Sequence, residues 1–342
     1  MAKKTALVVA PGRGTYNKSE LGYLQRFHHA QADLLHEFDT IRIAQGQEKI
    51  TSMDGAEQYS AARLTRGDNA SGLIYACAYT DFISINKNEI DVVAITGNSM
   101  GWYIALACSG VLTPQNGFLV VNTMGKLMHE ASIGGQTIYP IVDENWREIE
   151  GKRKELVDLI DSIPNLYLSI NLGGMIVFGG DEKALKEAER QLTPVGGRFP
   201  MRLMNHAAFH TPLQHPISQR AQASLSYSLF MQPKIPLIDG QGSIWFQGSS
   251  HLNALWNYTF EEQIINSYDF SAAITAGIHE FAPDIIIVLG PGTTLGGAVA
   301  QILIANKWRG ISGKDDFMKR QANNPLILLF GIEEQRALVV GK

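Results

Sequence analysis

The chain has 342 residues, of which 45% are hydrophobic and 18% charged, with a net charge of −4. That composition provides a core for a large α/β unit and excludes a disordered chain. No run of Lys or Arg forms a basic stripe, so neither nucleic acid nor an anionic membrane is expected as a partner. Cys77 and Cys108 both sit in apolar stretches. They read as small core residues in a reducing compartment, with no disulfide framework and no metal cluster.

The first predicted element is a buried strand, Ala6–Ala10, ahead of Pro11-Gly12-Arg13-Gly14. Its apolar run is too short for a signal peptide, and no segment reaches the roughly 18 apolar residues of a membrane span, so a cytoplasmic location is expected. A second strand, Val92–Thr96, precedes GNSMG and a helix-compatible Trp102–Cys108; a third, Ile285–Leu289, precedes GPGTTLGG. Repeated strand, Gly-rich turn and helix predict a parallel sheet with helices on its faces and ligands at the carboxyl ends of its strands.

Between residues 131 and 204 the pattern changes. A strand Thr137–Val142, a helix Trp146–Ile160, strands Tyr167–Asn171 and Met175–Phe178, a helix Lys183–Gln191 and a strand Phe199–Met204 follow one another. This β-α-β-β-α-β order predicts a ferredoxin-like subdomain inserted into the α/β body formed by residues 1–130 and 205–342. Gln241–Asn257 and Trp308–Asn324 read as polar loops with little periodicity.

GNSMG, Gly97 to Gly101, is a G-x-S-x-G sequence between a strand and a helix. Such a turn exposes its serine and brings helix N-terminal amides near a developing oxyanion. An ordinary βα turn with a surface serine would look the same without that flanking context. Ser99 needs a base, and NHAAFHTPLQHP offers His206, His210 and His215. The i, i+4 spacing of His206 and His210 suits metal ligands on a helix, but Pro212 and Pro216 disfavour a helix and no HExxH or Cys partner exists. Residue chemistry by itself does not choose among the three.

These motifs together resemble the malonyl-CoA:acyl-carrier-protein transacylases and the acyltransferase domains of polyketide synthases. GNSMG resembles their G-H-S-x-G, AFHTPL (Ala208–Leu213) their A-F-H-S-P-L, and APGRGT their P-G-Q-G-S. NLGGMIVFGG (Asn171–Gly180) is similar to their N-x-P-G-x-x-x-x-S-G, and LGPGTTLGG (Leu289–Gly297) to their E-x-G-P-G-x-x-L-x-G. The resemblance implies a hydrolase-like α/β body and transfer of an acyl group, malonyl by default, from CoA to the phosphopantetheine thiol of an acyl carrier protein. It assigns Ser99 as nucleophile, His210 as base, the Gln263 carbonyl as the group orienting His210, and the Arg13 and Met100 amides as the oxyanion hole. It implies no cofactor. A thioester hydrolase using the same residues, or a non-catalytic carrier-binding protein, are the rival readings.

The departures gather at the acyl pocket. The family arginine that pairs with the malonyl carboxylate lies in V-x-x-R-G-K, and VNTMGKLM places Met124 there. A methionine offers no planar bidentate recognition. Arg13 replaces the family glutamine, while Asn98 and Trp102 replace a histidine and a glutamate. Two outcomes are expected: a pocket turned toward acetyl or another uncharged acyl group, or Arg13 acting as the carboxylate's partner. Arg13 as a solvated loop residue is the plain alternative. With Met124 and Arg13, the residues Asn98, Phe209 and Asn171 complete the expected substrate-binding set.

Overall fold

The computed structural model describes residues 2–341. In chain order its strands are β1 (Lys4–Ala10), β2 (Ile90–Gly97), β3 (Gly135–Pro140), β4 (Leu166–Leu172), β5 (Met175–Gly180), β6 (Met201–Arg202), β7 (Leu237–Ile238), β8 (Ile244–Trp245), β9 (Tyr268–Asp269), β10 (Ile285–Val288) and β11 (Ile327–Leu329).

One sheet has the order β11-β10-β1-β2-β7-β8. Every pair is parallel except the β7–β8 edge, which is antiparallel. The central strand β1 buries Ala6 to Ala10 completely. A strand covered on both faces has no polar side, which is why ALVVA reads as an unbroken apolar run. Helices Gly67–Ile83, Gly101–Cys108 and Leu295–Ala305 are buried along most of their length. The expected mixed α/β body with a parallel sheet is present.

The second sheet has the order β6-β3-β5-β4-β9. β3, β4, β5 and β6 pair antiparallel, while β9, from outside residues 131–204, adds to β4 in parallel. Helix Lys152–Ser162 buries Leu156 and Ile160, and helix Glu182–Gln191 buries Ala184, Leu185 and Ala188.

Four local expectations are corrected. The first of these helices starts at Lys152, not Trp146, because Gly151 at its N-cap and Trp146 both take left-handed backbone. The last strand shrinks to Met201–Arg202. The first supposed polar loop contains β8 and a helix at Leu252–Asn257. The second contains a helix at Lys314–Asn323, with Asp315 and Asp316 in its first turn. Acidic residues there complement the helix dipole, and Phe317 alone is buried, so the periodic signal is weak. Among the described residues no helix is long and apolar enough to cross a membrane.

Candidate active site

The turn after β2 shows why its glycines are required. A Cβ at Gly97 would lie 2.2 Å from the Gly101 carbonyl oxygen, and one at Gly101 would lie 2.3 Å from that of Ala10. The turn therefore closes on itself and against the end of β1. Ser99, between them, has φ of 55°, a left-handed backbone that is costly for a non-glycine residue.

Ser99 Oγ lies 2.7 Å from His210 Nε2, and His210 Nδ1 lies 2.5 Å from the Gln263 carbonyl oxygen. The carbonyl can only accept, so Nδ1 carries the proton and Nε2 offers its lone pair to the serine hydroxyl. His210 is fully buried, and burial lowers its imidazole to about 4, with the Gln263 carbonyl acting against that fall. It is thus a neutral acceptor at pH 7. Its backbone is also left-handed (φ 61°), and its amide donates to the Ile264 carbonyl at 2.8 Å. His206 also faces the space beside Ser99 but bonds elsewhere, with Nδ1 3.0 Å from Gln136 Oε1; burial, then the Arg13 charge, lowers it to about 3. His215 begins the helix His215–Ser224. Among the described residues His210 is the one histidine of the three hydrogen-bonded to Ser99.

Gln263 holds the pair from both sides. Its Nε2 donates to the Ser99 carbonyl at 3.1 Å, and Tyr103 Oη donates to its Oε1 at 3.0 Å. It follows directly on a π-helical turn, Tyr258–Glu262, an irregularity that re-aims backbone groups and recurs at functional sites. Tyr268 Oη donates to the Gly97 carbonyl at 2.5 Å, and its ring packs 5.3 Å from that of His210. Ser169 Oγ and Gln136 Nε2 donate to the Phe209 carbonyl at 2.8 and 3.3 Å. Tyr103, Tyr268, Gln136 and Ser169 went unnoticed in the sequence, since each acts across a gap that no local motif spans. Trp102 is buried, with its indole N–H on Thr259 Oγ1 at 3.1 Å.

A cavity of about 380 Å³ opens beside Ser99, between the two sheets. Arg13, Asn98, Ser99, Met100, Met124, Phe209 and Gln263 all line it. Among the described residues neither the Arg13 nor the Met100 amide has a hydrogen-bond partner, which leaves both donors free for a ligand. Asn171 is the exception. Its neighbours Ile170 and Leu172 line the cavity, so strand alternation turns Asn171 to the other face. There its amide bonds both Asp269 oxygens, at 3.0 and 3.1 Å, and accepts from Arg153 at 2.9 Å. Asn171 ties β4 to its surroundings and is removed from the substrate-binding set.

The arrangement can be compared with known proteins. No family model matches the chain. It is 22% identical over 246 residues to the malonyl CoA-acyl carrier protein transacylase of Bacillus subtilis, covering 71% of this chain and 74% of that protein. It is 24% identical over 157 residues to the transacylase of the same name from Buchnera aphidicola, and 23% identical over 218 residues to a highly reducing polyketide synthase of Calcarisporium arbuscula. The matched stretch spans 48% of the Buchnera protein and 8% of the synthase. The crystal structure of the Synechocystis malonyl-CoA:ACP transacylase superimposes with a TM-score of 0.76 at 17% identity, over 98% of this chain and 99% of that one. The Helicobacter pylori transacylase gives 0.76 at 16% identity, over 99% and 98%. The chain is a relative of the malonyl-CoA:acyl-carrier-protein transacylases. Within that relationship the GNSMG turn and the AFHTPL segment lie together, while position 124 carries a buried methionine.

Proposed function

We propose that this chain is a serine acyltransferase that moves an acyl group from a CoA thioester to the phosphopantetheine thiol of an acyl carrier protein. The observation that carries the reading is the Ser99 Oγ, His210 Nε2, Gln263 carbonyl relay on a strained strand-to-helix turn. His210 takes the Ser99 proton as Oγ attacks the thioester carbonyl. Collapse of the tetrahedral intermediate returns that proton to the departing CoA sulfur and leaves an acyl-serine. The carrier thiol then repeats the steps in reverse order, with His210 again as base. The Arg13 and Met100 amides hold the oxyanion in both halves, each such donor contributing about 3 kcal/mol to the transition state. The backbone carbonyl of Gln263 fixes the tautomer of His210 in place of a carboxylate. Malonyl is the acyl group to test first, because the relatives are named for it.

Residues 131–204 serve in this reading as an inserted ferredoxin-like subdomain that forms one wall of the cavity. The order β6-β3-β5-β4 with antiparallel pairing supports it. Residues 1–130 and 205–342 form the catalytic body.

Incubation with malonyl-CoA followed by intact-mass measurement tests the function. A mass increase that maps to Ser99, and is discharged by holo-acyl carrier protein faster than by water, is expected. Discharge by water alone at the same rate would make the chain a thioester hydrolase, and no adduct with any acyl-CoA would end the reading.

A further inference from the structure

The Arg13 side chain is a cation without an anion. Its Nη2 donates to the Thr65 carbonyl at 3.0 Å, its Nη1 meets the Met128 sulfur at 3.0 Å, and its buried Nε has no partner. A guanidinium has five N–H donors, and here one carbonyl and one weak sulfur acceptor engage two of them. Asp68, the acid that acts on it through space, is already gripped by Arg66 at 3.1 and 2.9 Å. Among the described residues Arg13 forms no ion pair. Burial lowers its guanidinium to about 10, so it keeps its charge at neutral pH.

An unpaired, partly buried cation is costly unless a ligand completes it. Arg13 lines the cavity with Ser99, Met124 and Met128. Met124 and Met128 are four residues apart in the helix Pro114–Ala131, so they share one face. The guanidinium therefore rests against the same helix face on which the resemblance expects an arginine at position 124. The charge reaches that place from the loop after β1 instead of from the helix.

Resting on the acyl-transfer reading, we infer that Arg13 is the specificity-determining residue for an acyl group that bears a second, ionised carboxylate, as malonyl does. The other candidates nearby do not fit this part. Arg198, also on the cavity wall, is exposed and lies over the Phe199 ring at 4.6 Å. His206 is held neutral by burial and by Arg13 itself. The phosphates of CoA lie at the far end of the pantetheine arm from the thioester, whereas Arg13 follows Gly12, whose backbone packs on Asn98 beside Ser99. A carboxylate a few bonds from the acyl carbonyl is the anion within reach. Its two oxygens would take guanidinium N–H groups that no protein acceptor engages, in a bidentate pair.

The experiment reads the ratio of kcat/KM for Ser99 acylation by malonyl-CoA to that by acetyl-CoA, so any general loss cancels. Arg13→Gln should lower the ratio about 100-fold, the order expected for losing a buried bidentate ion pair. Arg13→Lys, which keeps the charge without the fork, should fall between it and the wild type. Adding Met124→Arg to Arg13→Gln should return most of the malonyl preference, by putting a guanidinium back on the same helix face. Thermal melts of each variant check folding, and the Lys variant keeps the test alive should the Gln variant fail to fold. An unchanged ratio in Arg13→Gln or Arg13→Lys, with acylation still measurable, overturns the assignment of Arg13 alone. A wild type that forms no acyl-Ser99 from either thioester overturns the acyl-transfer reading and this inference with it.

Discussion

Around Ser99 and His210 hydrogen bonds converge from four elements: the turn after β2, the helix Gly101–Cys108, the segment at Gln263 and β9. Around Arg13 and Met124 the opposite holds, with a guanidinium left on a sulfur and a single carbonyl, beside a methionine wall. The contrast separates two tasks. The chemistry of proton transfer needs geometry fixed before the substrate arrives, so its groups are tied down in the free protein. In the proposed reading, selection of the acyl group uses a group whose missing partner arrives with the substrate.

Substitutions at the tied-down end should have the largest effects. Ser99→Ala removes the attacking atom, and acylation should fall by about 10⁶-fold, to background in an intact-mass assay. A stable adduct on this variant would show that the nucleophile lies elsewhere. His210→Ala should cost about 10²–10⁴-fold in the acylation rate, with folding retained. His206→Ala and His215→Ala should each cost less than about tenfold, since neither is hydrogen-bonded to Ser99. Equal losses across the three would mean that no single histidine is the base.

Much of this division was legible beforehand, for reasons that differ by residue. GNSMG is local: two glycines and a serine between an apolar strand and a helix declare a tight turn, which forms at Gly97, Ser99 and Gly101. His210 could be separated from His206 and His215 only through the resemblance, since all three occupy one proline-broken segment. The parallel sheet followed from unbroken apolar runs, whereas the helices Leu252–Asn257 and Lys314–Asn323 escaped notice because short helices bury too few side chains to show a period. Asn171 was misplaced for a similar reason: a motif match gives position along β4 but not the face, which the alternation with Ile170 and Leu172 decides. The supports at Tyr103, Tyr268, Gln136 and Ser169 needed the folded chain, as their partners lie 33 to 171 residues away.

Gln263 acts at a smaller scale. Its backbone carbonyl survives any substitution, so Gln263→Ala leaves the bond to His210 Nδ1 and removes the side-chain grip on the Ser99 carbonyl. The expected loss is about tenfold in kcat, equivalent to roughly 1.4 kcal/mol, with KM little changed. Tyr103→Phe, which removes only the hydroxyl bonded to Gln263 Oε1, should cost less. A KM effect larger than the kcat effect would move Gln263 from positioning to substrate binding.

The smallest effect concerns acid. His210 is buried and neutral, with its imidazole lowered from 6.5 to about 4. The unfolded chain binds a proton at that position near pH 6.5, and the folded chain resists it until about pH 4. Stability from His210 is therefore fully present above pH 6.5 and is lost progressively as the pH falls through about 4, by at most about 1.4 kcal/mol per pH unit. Other titrating groups contribute too, so the measurement is a difference: melting temperatures of wild type and His210→Gln at pH 7.5 and pH 5. Glutamine fills a similar volume without titrating. The wild type should lose on the order of 2 °C more than the variant on acidification. The same proton blocks the base, so the acylation rate of the free protein should stay level as the pH falls toward 5 and drop as it passes about 4. Identical melting shifts in the two proteins, with a rate that already falls near pH 6.5, would mean that His210 sits in water rather than in the buried relay.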